Sequence, residues 1–303
     1  MKCIFLTALA MGIAGTLYAQ QPASTAAPAS AALNDDFSSA ESLVNWIWFH
    51  QTEGWPDKMN RLTVENGRLV FEPGTSGWFA DYQAPFLYKE VRGDFDVRMR
   101  IKAEALGGGI SHTTWSLGGL MVRVPKRSTK ENWQPRQENW FFITTGVAAN
   151  AGEQVIESKY TLNSKSNLKL RPARAEWITL RAVRVGHAFI LLYQYEGEHW
   201  QVHERFYIAD WPPVLQVGIN GYTNSEALPQ EVRFGDALQQ NSTVYTGIGK
   251  NDLRLLVDWV QFKMPVVSFS ETNRAMEWYN NVARNTLTDY SLTNEALLAM
   301  LGD

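Results

Sequence analysis

Residues 91–104 read VRGDFDVRMRIKAE, with Val91, Phe95, Val97, Met99 and Ile101 on one side of an extended chain. Asp94, Asp96, Arg98, Arg100, Lys102 and Glu104 fall on the other. Side chains alternate across a strand, so this period of two predicts one face in a core and one in water. Paired acids can also be catalytic, since a retaining glycosidase needs two carboxyl groups about 5 Å apart. Here Arg98, Arg100 and Lys102 stand between Asp96 and Glu104, and neighbouring cations keep carboxyls ionised. A general acid needs the opposite, a raised pKa. The stretch therefore reports on fold and carries no chemistry.

Working outward, Leu62–Glu65 and Arg68–Glu72 flank Asn66-Gly67, a strong hairpin signal because both turn residues tolerate positive φ. Downstream strands are expected at Gly119–Val124, Trp140–Thr145, Val155–Leu162, Trp177–Val185 and Ala188–Tyr195. Trp200–Phe206, Val214–Tyr222 and Leu253–Phe262 continue the series. Many short strands with turns between them and no intervening helices predict an all-β, two-sheet antiparallel jelly-roll sandwich. The last forty residues differ: Ser270–Ala283 and Leu292–Leu301 have helical spacing, with Ser270 and Ser291 as N-caps. They predict a short C-terminal helical extension, 265–303, packed on a sandwich domain of 34–264.

The amino end reads as an export signal. Lys2, the apolar run Ile4–Ile13 and Leu17-Tyr18-Ala19 predict a secretory leader, 1–19, cleaved after Ala19. Residues 20–33, QQPASTAAPASAAL, form an Ala/Ser/Pro tether. The expected location is periplasmic or extracellular. The single cysteine, Cys3, lies in the leader, so the exported chain is held by its core and not by disulfides. No later stretch is apolar enough to span a bilayer. A formal charge of −3 with no block of one sign argues against nucleic acid as a partner. Twelve tryptophans exceed what a core takes up, and spare indoles suit flat ligand faces such as sugar rings.

The order of motifs resembles a known family. It runs Asp36-Phe37, NGRLVFEP (66–73), VRGDFDVRMRI (91–101), GGLMVRVP (118–125) and ENWFFITTG (138–146). WITLRAVRVGHAF (177–189), EGEHW (196–200), LQVGINGYT (215–223) and LVDWVQF (256–262) follow. This is similar to the concanavalin A-like lectin/glucanase superfamily, and within it to the domain of unknown function 1349 group. Relatives of that group sit at the C-terminal end of some family-43 β-xylosidases. The resemblance implies a convex sheet and a concave sheet whose groove often holds saccharide. It also implies a calcium between the first and last strands, for which Asp36 and Asp258 are the candidates here.

Function has to come from sites, because one fold hosts many activities. The glucanase string E-x-D-x-x-E is missing, as are the lyase strings and a G-x-S-x-G elbow. The histidines lack the spacing of a zinc site. If the protein is an enzyme, a glycoside hydrolase or polysaccharide lyase, the groups left for it are Glu157, Lys159 and His112. Binding asks for less, a few rings and fixed polar groups. Trp115, Arg123, Trp133 and Trp140 supply these, with Lys159 and Tyr222 from neighbouring strand ends. Arg123 lies between Val122 and Val124, which places its guanidinium on the outer, concave face, free for sugar hydroxyls or a uronate. For Trp140, Trp177 and Trp259, which sit in strands with alternating apolar neighbours, burial in the core is the stronger reading. The first reading is a carbohydrate-binding protein without catalysis or cofactor. The alternatives are a glycan-active enzyme using the same groove and an envelope protein whose C-terminal helices dock a partner.

Overall fold

The computed structural model describes residues 31–126, 128–233, 235–268 and 286–302. The expected leader, most of the tether and the expected helix Ser270–Ala283 lie outside them. Fourteen strands, numbered in chain order, form two sheets of seven among the described residues. The first sheet runs β1 (Ile47–Trp48), β4 (Phe86–Arg92), β13 (Val214–Tyr222), β6 (Ser116–Arg123), β7 (Trp140–Val147), β8 (Gln154–Leu162) and β9 (Lys165–Pro172). The second runs β12 (Gln201–Tyr207), β11 (Ala188–Tyr195), β10 (Ile178–Val185), β5 (Phe95–Glu104), β14 (Arg254–Lys263), β3 (Arg68–Pro73) and β2 (Met59–Glu65). Neighbouring strands pair antiparallel. The all-β sandwich expected from the sequence is what forms.

Alternation explains the layers. Val97, Met99 and Ile101 of β5 meet Leu120, Val122, Phe141 and Ile143 of the first sheet in one buried core. The hairpin forms where Asn66-Gly67 predicts it, with φ of 53° and 69°. The stretch 91–104 proves to be a corner rather than one strand. Val91 lies near the end of β4 in the first sheet and Phe95 opens β5 in the second, while both enter the same core. Gly93 makes the turn with φ 78°, a conformation that favours glycine, and its N–H donates to Pro213 O at 2.7 Å.

The face of β5 opposite the core is only partly wet. Asp96 is buried, accepting from Arg181 at 2.8 Å and from Arg98 at 2.9 Å. Burial pushes its carboxyl up, but bonds and charge from Arg181 and then Arg98 outweigh that and hold it below the ordinary value. Farther along the outer face of the same sheet, at β10–β12, the described segment 286–302 packs Leu287, Leu297 and Leu301 on Ile190, Leu192 and Trp200. The chain's last described helix, Asn294–Met300, is capped by Thr293, whose hydroxyl accepts from Ala296 N, and not by Ser291. Thr293→Ala should therefore lower the unfolding free energy by about 1 kcal/mol, and Ser291→Ala by far less, in urea titrations.

Candidate functional site

The outer face of the first sheet carries a second apolar cluster built from Trp78, Trp140, Phe142 and Tyr222, with Trp115 and Trp133 packed at its edge. Two connections cover it: residues 74–85 between β3 and β4, and residues 223–253 between β13 and β14. Between sheet and cover lies a pocket of about 260 Å³. Trp78, Phe79 and Tyr82 line it from the first connection, and Ser225, Glu226, Arg233 and Gln240 from the second. The sheet contributes Lys159, Leu168 and Tyr222, and the loop before β6 contributes Trp115.

Cross-strand register sets the floor. Lys159 of β8 stands opposite Phe142 on β7 and Leu168 on β9, while Glu157 stands opposite Thr144. Glu157 is fully buried and accepts hydrogen bonds from the Tyr222 hydroxyl and from Thr144 Oγ1 at 3.2 Å. Lys159 Nζ lies 3.0 Å from Glu157 Oε1 and donates to Trp78 O at 3.1 Å and Tyr222 Oη at 3.4 Å. Its ammonium sits 5.1–5.4 Å from the ring centres of Trp115, Phe142 and Tyr222. Burial, reinforced by the Glu157 charge and hydrogen bond, raises the Tyr222 phenol well above its ordinary value. A phenol so held is a poor base, and the lysine charge is committed to its glutamate.

Trp115 is the unusual wall. Its backbone is left-handed, φ 52°, which is rare for a bulky residue and costs about 1–3 kcal/mol. Its N–H donates to Ala148 O at 3.0 Å, and its indole Nε1 donates to Glu226 Oε1 at 3.0 Å. Thr114 Oγ1 donates to the other oxygen of Glu226 at 2.7 Å. The ring is thus fixed by contacts from the cover as well as from the sheet.

Three expected binding residues, Trp115, Lys159 and Tyr222, meet at this pocket. The others do not. Arg123 faces the outer side as expected, yet it is completely buried and has no guanidinium surface for a ligand. It bonds Glu53 at 2.6 Å, Gln216 at 2.9 Å and Glu138 through Nε and Nη2, each at 3.1 Å. Lys126 adds a 2.7 Å contact to Glu138, which also accepts from Gln83 Nε2. Burial alone would push Glu138 up, but Arg123 and Lys126 overcome it and hold the carboxyl well below its ordinary value. Trp140 is buried against Trp78 and Phe142, where it builds the floor without lining the pocket. Trp133 is half-buried at the cluster's edge and also outside the lining. Of the enzyme candidates, Glu157 lies beneath the floor and His112 is exposed on its own loop, away from both.

The two residues named for calcium lie as follows. Asp258 accepts from Arg68 at 3.2 Å and Arg100 at 2.7 Å, so its charge is already balanced. Asp36 is exposed and accepts from Ser38 N at 3.0 Å. Among the described residues, no group of three or more acidic, histidine or cysteine side chains could hold a metal ion. A register shift between Val257 and Trp259 turns Asp258 and Trp259 together away from the core, so Trp259 is only half-buried.

Most of the lining escaped the sequence reading. Trp78, Phe79 and Tyr82 stand within the five residues WFADY, an aromatic cluster in a connection. The 31 residues 223–253 form a long connection, and long connections in compact sandwiches are often functional.

A profile of one family, described as a protein of unknown function (DUF1349), matches residues 48–240. The chain belongs to the DUF1349 family. A search of curated protein sequences finds no match. Among solved structures, a functionally unknown protein from Saccharomyces cerevisiae is similar at 14% identity and TM-score 0.50, over 74% of this chain and 98% of that one. A GH43 protein from Bacillus licheniformis is similar at 13% identity and TM-score 0.52, over 81% of this chain. A xylan β-1,4-xylosidase from Bacillus halodurans is similar at 12% identity and TM-score 0.51, over 80% of this chain. The match spans 41% of each of those two Bacillus chains. At such identities the likeness concerns the fold.

Proposed function

We propose that this DUF1349 protein is exported and binds a saccharide in the pocket over the first sheet without cleaving it. The observation that carries the reading is Trp115, a bulky ring held in a left-handed backbone at the wall of an aromatic pocket. Strain of this kind persists where a side chain has to be placed for a ligand. Rings with a few fixed polar groups are what a sugar's apolar faces and hydroxyls require. The family-43 xylosidase likeness fits a glycan-handling setting, and the Lys2–Ala19 leader fits export.

Binding is favoured over catalysis by the committed state of the floor. Tyr222 donates its proton to Glu157, and Lys159 is paired to the same carboxylate. Neither is poised to take or give a proton at a substrate.

Trp115→Gly separates binding from folding. Glycine relieves the left-handed strain while the stacking wall is lost, so unfolding free energy should change by no more than about 1 kcal/mol. Affinity for soluble oligosaccharides in calorimetric titration should fall on the order of tenfold or more. Unchanged affinity would remove Trp115 from the site. Release of new reducing ends from the same sugars would replace binding with catalysis.

A further inference from the structure

Among the described residues, three charged side chains line the pocket: Lys159, Arg233 and Glu226. Lys159 is ion-paired to Glu157 beneath the floor and donates to Trp78 O and Tyr222 Oη. Arg233 is half-buried, and its Nη1 donates to the backbone carbonyl of Glu226 at 2.9 Å. With Glu157 included, two cations stand against two carboxylates, so the pocket offers a ligand no net charge. Glu226 alone of these is open to solvent. Its oxygens each accept one exposed hydrogen bond, from Trp115 Nε1 at 3.0 Å and from Thr114 Oγ1 at 2.7 Å. A carboxylate has about four lone-pair sites, which leaves each oxygen room for a second donor.

An indole N–H lies in the plane of its ring and points outward from the edge. The bond from Trp115 therefore sets the Glu226 carboxylate at the edge of the aromatic wall. A sugar laid on the indole face projects its equatorial hydroxyls past that edge, toward the carboxylate. The group met there has to donate, because an ionised carboxylate only accepts. Hydroxyls donate, whereas a uronate, sulfate or phosphate brings a second negative charge and no proton. Resting on the saccharide reading of the pocket, we infer that its ligand is an uncharged glycan stacked on Trp115, with ring hydroxyls donating to Glu226. Hydrogen bonds to an ionised acceptor are roughly twice as strong as neutral ones, which makes Glu226 the polar anchor of the site.

The test is calorimetric titration of the full chain with xylo-oligosaccharides, cello-oligosaccharides and cello-oligosaccharides oxidised to glucuronates at C6. All three share ring configuration and β-1,4 linkage, and the cello chains match the bulk at C6 without the charge. The uncharged chains should bind, and the glucuronate chains about fivefold or more weakly, as expected for like charges a few Å apart. Glu226→Gln keeps an oxygen for the Trp115 N–H and replaces the other by an amide group that donates. It should weaken the uncharged chains by about tenfold and bring the ratio of uncharged to glucuronate affinity close to one. An unchanged ratio, with both affinities reduced together, would mean that Glu226 only holds Trp115 and would overturn the contact. Equal or tighter binding of glucuronate chains by the parent overturns the uncharged assignment and leaves the saccharide reading standing. Absence of binding to all three sets overturns both.

Discussion

Replacing Arg123 by leucine is expected to lower the unfolding free energy by about 3–5 kcal/mol at neutral pH. The guanidinium has no exposed surface and joins Glu53, Glu138 and Gln216, which lie on three separate elements. Removing it leaves two buried carboxylates with Lys126 as their remaining cation. In the folded parent, Glu138 is held below its ordinary value of 4.5, so its contribution to stability is present above that pH. That contribution fades as pH falls through the folded-state value. The gap between parent and Arg123→Leu should therefore be largest near pH 7 and shrink as the solution is acidified. Urea unfolding at several pH values measures it, and a constant gap below about 1 kcal/mol would mean that the network is not what holds this region.

Lys58 should give the protein a rising stability on the alkaline side of neutral. Its amine is buried and donates to Gln83 O at 3.2 Å and Gln240 O at 2.8 Å, tying both covers of the pocket to the start of β2. Burial lowers its pKa from 10.5 to about 7. His50 and Asp57, 3.6 Å apart, share the small cavity beside it, about 20 Å³ or room for one water. Between pH 7 and 10.5 the unfolded chain binds a proton at this site that the folded chain does not, so stability rises with pH. Across the whole window the gain is about 4–5 kcal/mol. Lys58→Met abolishes that slope, and subtracting its unfolding curve from the parent's isolates the effect from other titrating groups. Parallel curves for the two proteins would show that Lys58 titrates at its ordinary value.

Local pattern carries the fold in this chain. The alternation of Val97, Met99 and Ile101, the Asn66-Gly67 turn and the motif order all lead to the sandwich that forms. What alternation does not reveal is where a strand leaves one sheet for the other. The run from Val91 to Ile101 looks continuous because both halves face the same core, and only the φ of Gly93 marks the corner. β4 went unread for a related reason: Lys89 and Glu90 interrupt its apolar pattern. Yet Lys89 is buried, donating to Leu33 O and lying 4.6 Å from the Trp46 ring centre.

Only a small part of the site was legible. Period-two reading places Arg123 on the outer face, where the structure has it, because face is a local property. Whether that face is open depends on segments far away in sequence. Glu53 reaches Arg123 across 70 residues, and Gln240 meets Trp78 at the pocket only because two connections fold over the same sheet. Free guanidinium and buried guanidinium read identically in the string MVRVP. Lys159 and Glu157, two apart on β8, alternate like surface charges but are buried under the pocket because both connections roof that sheet.

The twelve tryptophans offer the most direct test of the central claim. In a ¹H–¹⁵N correlation spectrum their indole N–H signals, assigned by single substitution, report on each ring separately. Titration with a binding oligosaccharide should move Trp115 and Trp78 at the pocket and leave Trp177 and Trp259, on the outer face of the other sheet, in place. Shifts confined to Trp177 and Trp259, with Trp115 and Trp78 unmoved, would contradict the account.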